Sequence, residues 1–78
     1  MSYWRNVGIE EPPRFEKILF MTGDNCLHFG WTLDDKELNK CEFYSFALEE
    51  FFKCDRKTRL ENRVIYWHPL PKLPKDEE

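Results

Sequence analysis

The sequence predicts a small α+β domain: an antiparallel sheet of three to four strands, one short helix and a proline-rich C-terminal tail. Three observations lead there. Residues 17–31 read as a β-hairpin, the aromatic-rich stretch 43–52 carries a helical spacing, and Val64-Ile65-Tyr66-Trp67 runs unbroken into Pro69, Pro71 and Pro74.

The elements follow in chain order. Tyr3 to Val7 is an aromatic opening segment suited to an edge strand, and Gly8 with Pro12-Pro13 breaks it into a loop. Lys17-Ile18-Leu19-Phe20-Met21 is a short apolar strand, and Thr22-Gly23-Asp24-Asn25 supplies residues that tolerate the left-handed backbone of a tight turn. Leu27, Phe29 and Trp31 then alternate with Cys26, His28 and Gly30, so one row faces the core. The charge run Asp34-Asp35-Lys36-Glu37 leads to an extended segment near Phe43. From Ser45, a candidate N-cap, the spacing of Phe43, Phe46, Ala47 and Glu50 and of Leu48, Phe51 and Phe52 predicts a short helix. The stretch 53–63 holds five basic residues against two acidic ones and is the locally cationic part of the chain. The last strand stops at Pro69, and residues 69–78 form an extended tail with P-x-x-P spacing, expected to pack on its own domain against Trp4, Trp31 and Trp67.

Length and composition bound the rest. Seventy-eight residues make one domain, 1–78, whose thirteen aromatic side chains must supply much of a small interior. A net charge of −3 disfavours nucleic acid or an anionic membrane as a partner. No secretory h-region opens the chain and no apolar run reaches spanning length, so the expected location is the cytoplasm. Cys26, Cys41 and Cys54, odd in number and widely spaced, read as reduced thiols.

Trp4-Arg5-Asn6-Val7, the proline before an apolar strand, Gly30-Trp31, and the ending Val64-Ile65-Tyr66-Trp67-His68-Pro69-Leu70-Pro71-Lys72-Leu73-Pro74 together resemble a small family of phage and prophage proteins, a domain of unknown function. Its members carry a W-x-x-V opening, a G-W or G-Y pair after a hairpin, and a V-T-H-W-M-P-L-P-x-P-P ending. The specific part is Trp67-x-Pro69-Leu70-Pro71. This chain differs in Tyr66 and His68, where His and Met are usual, and in a longer aromatic insert from Cys41 to Arg59. The resemblance implies a viral or prophage origin, the cytoplasm of a bacterial host cell and a compact, mostly β domain. It brings no catalytic residue.

Cys26-x-His28, Cys41, Cys54 and His68 contain enough soft donors for zinc, but not in the close pairs that a tight turn presents, so no metal is expected. Cys26 with His28 or His68 is the one nucleophile–base pair worth naming. It lacks an orienting third group, and Gly8, Gly23 and Gly30 form no phosphate loop. The sequence is thus read as a non-enzyme without cofactor. Five rings at Phe43, Tyr44, Phe46, Phe51 and Phe52 exceed what one short helix hides. That surplus predicts a binding module, a phage accessory protein that inhibits a host component such as a defence system or pairs with itself. Tyr44, Phe51 and Phe52 are its expected apolar anchors, with Arg56 and Arg59 as a charged rim. The alternative is a homo-oligomer that sequesters a small nucleotide signal between Trp31, Arg59 and Arg63.

Overall fold

The computed structural model describes residues 4–37 and 39–70. It is all-β, so the expected α+β class and strand number are both corrected. Six strands, β1 (Arg5–Asn6), β2 (Lys17–Thr22), β3 (Leu27–Asp35), β4 (Lys40–Ser45), β5 (Glu50–Phe52) and β6 (Val64–Pro69), form one antiparallel sheet in the order β1-β6-β2-β3-β4-β5. The only helical element among the described residues is a 3₁₀ turn, Leu60–Asn62.

The predicted hairpin is present as β2 and β3, with Lys17 opposite Trp31 and Met21 opposite Leu27. Its turn works as the residue types require. Asn25 takes a φ of 66°, and the Asp24 carboxylate accepts from the Thr22 hydroxyl and, at 3.1 Å, from the Cys26 amide. Tyr3 lies outside the described residues, but Arg5 and Asn6 do form an edge strand, paired to Trp67 and Tyr66. The tail from Pro71 onward also lies outside them.

The expected helix at Ser45 is a single turn. Ser45 caps it, its hydroxyl accepting from the Leu48 amide at 3.4 Å, and the Glu49 amide closes the turn on the Ser45 carbonyl at 2.8 Å. Glu49 then adopts a φ of 55°, which a right-handed helix cannot continue, and the chain reverses into β5. The Phe46 amide meanwhile donates to the Phe29 carbonyl, tying the turn to β3. Local propensity loses here to cross-strand pairing.

The sheet curls on itself. Lys53, just past β5, bridges to Arg63 at the foot of β6, and the Val64 amide donates to the Lys53 carbonyl at 3.0 Å. Phe20 on β2 consequently meets Phe43 at 5.3 Å and Phe52 at 6.1 Å across the interior, although β3 and β4 separate β2 from β5 in the sheet. These rings, with Ile18, Cys41, Val64, Trp67 and Val7, form the core. The loop over residues 8–16 is anchored across it. The Trp67 indole donates to the Glu10 carbonyl at 2.7 Å, the Glu11 carboxylate accepts from the Cys41 amide, and the Thr32 hydroxyl donates to the Pro13 carbonyl.

The curl decides which row of β3 points inward. His28, Gly30 and Thr32 face the core, while Leu27, Phe29 and Trp31 face away. A Cβ on Gly30 would stand 1.8 Å from the Tyr44 carbonyl oxygen and 2.8 Å from the Phe20 ring. Beside the His28 ring, the crowded interior admits only Gly30 and Thr32 from β3 because β2, β4 and β5 supply the phenylalanines.

Candidate functional site

An antiparallel sheet with one buried face usually alternates apolar inward and polar outward. Here both faces are apolar. The outer one runs across neighbouring strands through Leu19 and Met21 on β2, Leu27, Phe29 and Trp31 on β3, Tyr44 on β4, Phe51 on β5 and Tyr66 on β6. Pairing sets these side by side: Leu19 faces Phe29, Trp31 faces Tyr44, Tyr44 faces Phe51 and Met21 faces Tyr66.

Four rings make a continuous ridge. Phe29 and Phe46 lie 5.0 Å apart, Tyr44 and Phe46 5.9 Å, and Tyr44 and Phe51 4.9 Å. Leu27 and Phe51 are each 59% exposed, Phe29 43%, Tyr66 39% and Phe46 37%. With aromatic side chains burying about 150–250 Å² each, these residues and Leu48 together expose on the order of 600 Å², the upper end of what a lone monomer shows.

The predicted anchors therefore divide. Tyr44 and Phe51 belong to the ridge, but Phe52 does not. It is 9% exposed, points to the opposite face and packs against Phe20 and His28, so it is a core residue. Arg56 is exposed and lines a separate open groove of about 490 Å³ with Ile9, Lys40, Cys54 and Arg63. Arg59 is exposed beside Glu61, at 3.7 Å. Residues that the sequence reading did not single out as anchors, Leu27, Phe29, Phe46 and Tyr66, add to the exposed apolar surface beside Phe51, while Ile9, Phe15 and Leu60 are exposed elsewhere in the chain. Their alternation was visible, but alternation alone does not say which row faces outward.

The nucleotide set is not brought together. Trp31 lies on the outer face, and the groove that holds Arg63 contains neither Trp31 nor Arg59. The Arg63 guanidinium is spent on the chain itself, donating to the Thr58 carbonyl at 2.8 and 3.2 Å and to the Arg56 carbonyl at 3.1 Å. Trp4, Trp31 and Trp67 do not share one surface for the tail either, since Trp67 is buried within the core and Trp31 sits outside.

His28 lies between Phe20, stacked at 5.1 Å, and Phe52 at 4.9 Å, with the Thr22 and Ser45 hydroxyls each 3.4 Å from a ring nitrogen. Burial lowers its pKa, opposed by the Asp24 charge. Cys26 is exposed, and its thiol is pushed up by the Asp24 carboxylate, first through a hydrogen bond and then through charge, the reverse of nucleophile activation. Among the described residues, no group of three or more His, Cys, Asp or Glu is placed to hold a metal ion. None of their helices is long and apolar enough to cross a membrane.

What fold and site define is a small all-β domain with a core on one side of its sheet and an uncovered aromatic face on the other. Comparison with protein-family models, curated proteins and solved structures finds no match to any of them.

Proposed function

We propose that this is a phage- or prophage-encoded binding module that engages a bacterial host protein, such as a component of a defence system, through the outer face of its sheet, without catalysing a reaction. The observation that carries this is the ridge Phe29–Phe46–Tyr44–Phe51, whose rings touch one another, with Phe29, Phe46 and Phe51 exposed and Tyr44 half-buried among them. Rigid aromatic anchors, three of them on strands and Phe46 in the turn, give contact area at low entropic cost, and the exposed area is about three quarters of the roughly 800 Å² per partner of a standard interface. Curling of the sheet makes this side convex, which suits it to an apolar cleft on the partner. The phage assignment rests on the likeness of the ending at Trp67-x-Pro69-Leu70-Pro71.

The test uses the full chain with Phe29→Asp and Phe51→Asp, both at exposed positions. Tagged wild type expressed in the bacterial host should retain one host protein stoichiometrically, and the double variant should lose it while keeping the wild-type circular dichroism spectrum. Retention of the same protein by the folded variant would rule out this face.

A further inference from the structure

The β4–β5 ladder pairs Phe43 with Phe52, Tyr44 with Phe51 and Ser45 with Glu50. Continuing that register sets Glu42 opposite Lys53 and Cys41 opposite Cys54. Both steps leave a trace in the side chains. The Lys53 ammonium lies 3.9 Å from the Glu42 carboxylate, and the Cys54 sulfur lies 3.8 Å from the Cys41 carbonyl oxygen. By strand parity Cys41 and Cys54 share the inner face with Phe43 and Phe52, and Cys54 packs on the core cluster that contains Cys41. Directly opposed residues of an antiparallel pair have Cα atoms about 4.5–5.5 Å apart, inside the roughly 4.4–6.8 Å window of a disulfide.

We infer that Cys41 and Cys54 are a cross-strand thiol pair that closes into an intramolecular disulfide when the protein meets a small-molecule disulfide oxidant. The two positions differ in access, which sets the order of events. Cys41 is 2% exposed, whereas Cys54 lines the open groove beside Ile9, Lys40 and Val64. The Cys54 thiolate attacks one sulfur of the oxidant RS–SR, breaking its S–S bond and releasing RS⁻. The Cys41 thiolate then attacks the Cys54 sulfur of the mixed disulfide, forming the Cys41–Cys54 bond and expelling the second RS⁻. Two protein thiols are oxidised, one small disulfide is reduced to two thiols, and the two protein protons end on the released RS⁻ groups.

Both thiols are free; burial pushes Cys41 up to about 12 and raises Cys54 too, so the pair is slow to react at neutral pH and faster as pH rises. Cys26, alone on the hairpin turn and exposed, is left out of the bridge. Once formed, the bridge ties the start of β4 to the chain that leads into the 55–63 loop. Closing a loop of this length raises the Tm by roughly 12–24 °C.

The test is oxidation of the full chain with excess oxidised glutathione at pH 8.5, followed by alkylation in denaturant, intact mass and peptide mapping. The expected product has lost two hydrogens by a bridge between the peptides holding Cys41 and Cys54. Cys26→Ser should form the same bridge, and the oxidised protein should melt higher. Cys41 and Cys54 both remaining alkylatable, or a bridge that runs through Cys26, would overturn the inference, and wild-type mapping decides it without a variant that must fold.

Discussion

Phe51 and Phe52 are neighbours in sequence with opposite fates, and the pair tests the face assignment directly. Phe52 is 9% exposed and meets Phe20 and His28, so Phe52→Ala removes a whole buried ring from a closed interior. Such truncations cost about 3–5 kcal/mol. A domain of 78 residues has roughly 4–12 kcal/mol of stability in total, so this change consumes a large part of it. Phe51 keeps 59% of its surface in water, and its packing is chiefly the cross-strand contact with Tyr44, a type of pair worth about 0.2–1 kcal/mol. Urea unfolding followed by circular dichroism reads both. At about 1 kcal/mol/M for a chain this small, Phe51→Ala should move the midpoint by less than about 1 M, and Phe52→Ala by about 3 M or to a chain unfolded without denaturant. Equal losses in the two variants, or a loss below about 1 kcal/mol at position 52, would refute the inward and outward assignment of β5 and with it the exposed ridge.

Two further outcomes follow from the interior. Gly30→Ala places a methyl group on the Tyr44 carbonyl and the Phe20 ring, contacts that only a separation of β3 from β4 can relieve; we expect a loss of about 3 kcal/mol or more, measured by thermal unfolding, and a near-neutral result would mean that β3 does not approach β4 as described. His28 binds its proton less readily folded than unfolded, so its contribution to stability is complete above the ordinary histidine pKa of about 6.5 and declines as pH falls below it toward the lowered folded value. Stability measured from pH 7.5 to 5 should fall with acid in the wild type and much less in His28→Gln, whatever the variant's absolute stability; identical slopes would show that His28 is not the group responsible.

Several elements were legible in the chain. The β2–β3 hairpin is announced by Gly23, Asp24 and Asn25 between two apolar runs, and β6 by an unbroken β-branched and aromatic segment that ends at Pro69, because turn conformation and strand propensity depend on near neighbours. Ser45 was read correctly as a cap, but of one turn instead of a helix. What ended that turn, the left-handed Glu49 and the bond from Phe46 to Phe29, belongs to the pairing of β3, β4 and β5. The three-residue strand β5 carries too few residues for a period to show, whereas the edge strand β1 is legible as a short aromatic opening cut off by Gly8.

The candidate site divides along the same line. Amino-acid content points to more aromatic rings than a small interior needs, and their clustering at 43–52 makes Tyr44, Phe51 and Phe52 the expected anchors without separating the buried Phe52 from the other two. Which rings are left outside was decided only when the Lys53–Arg63 bridge curled the sheet. Curling brings the phenylalanines at 20, 43 and 52 into one crowded volume, admits only His28, Gly30 and Thr32 from β3, and turns Phe29 and Trp31 outward with Phe51. A period of two tells which residues share a side of a strand, whereas the choice of side depends on volume contributed by strands far apart in sequence.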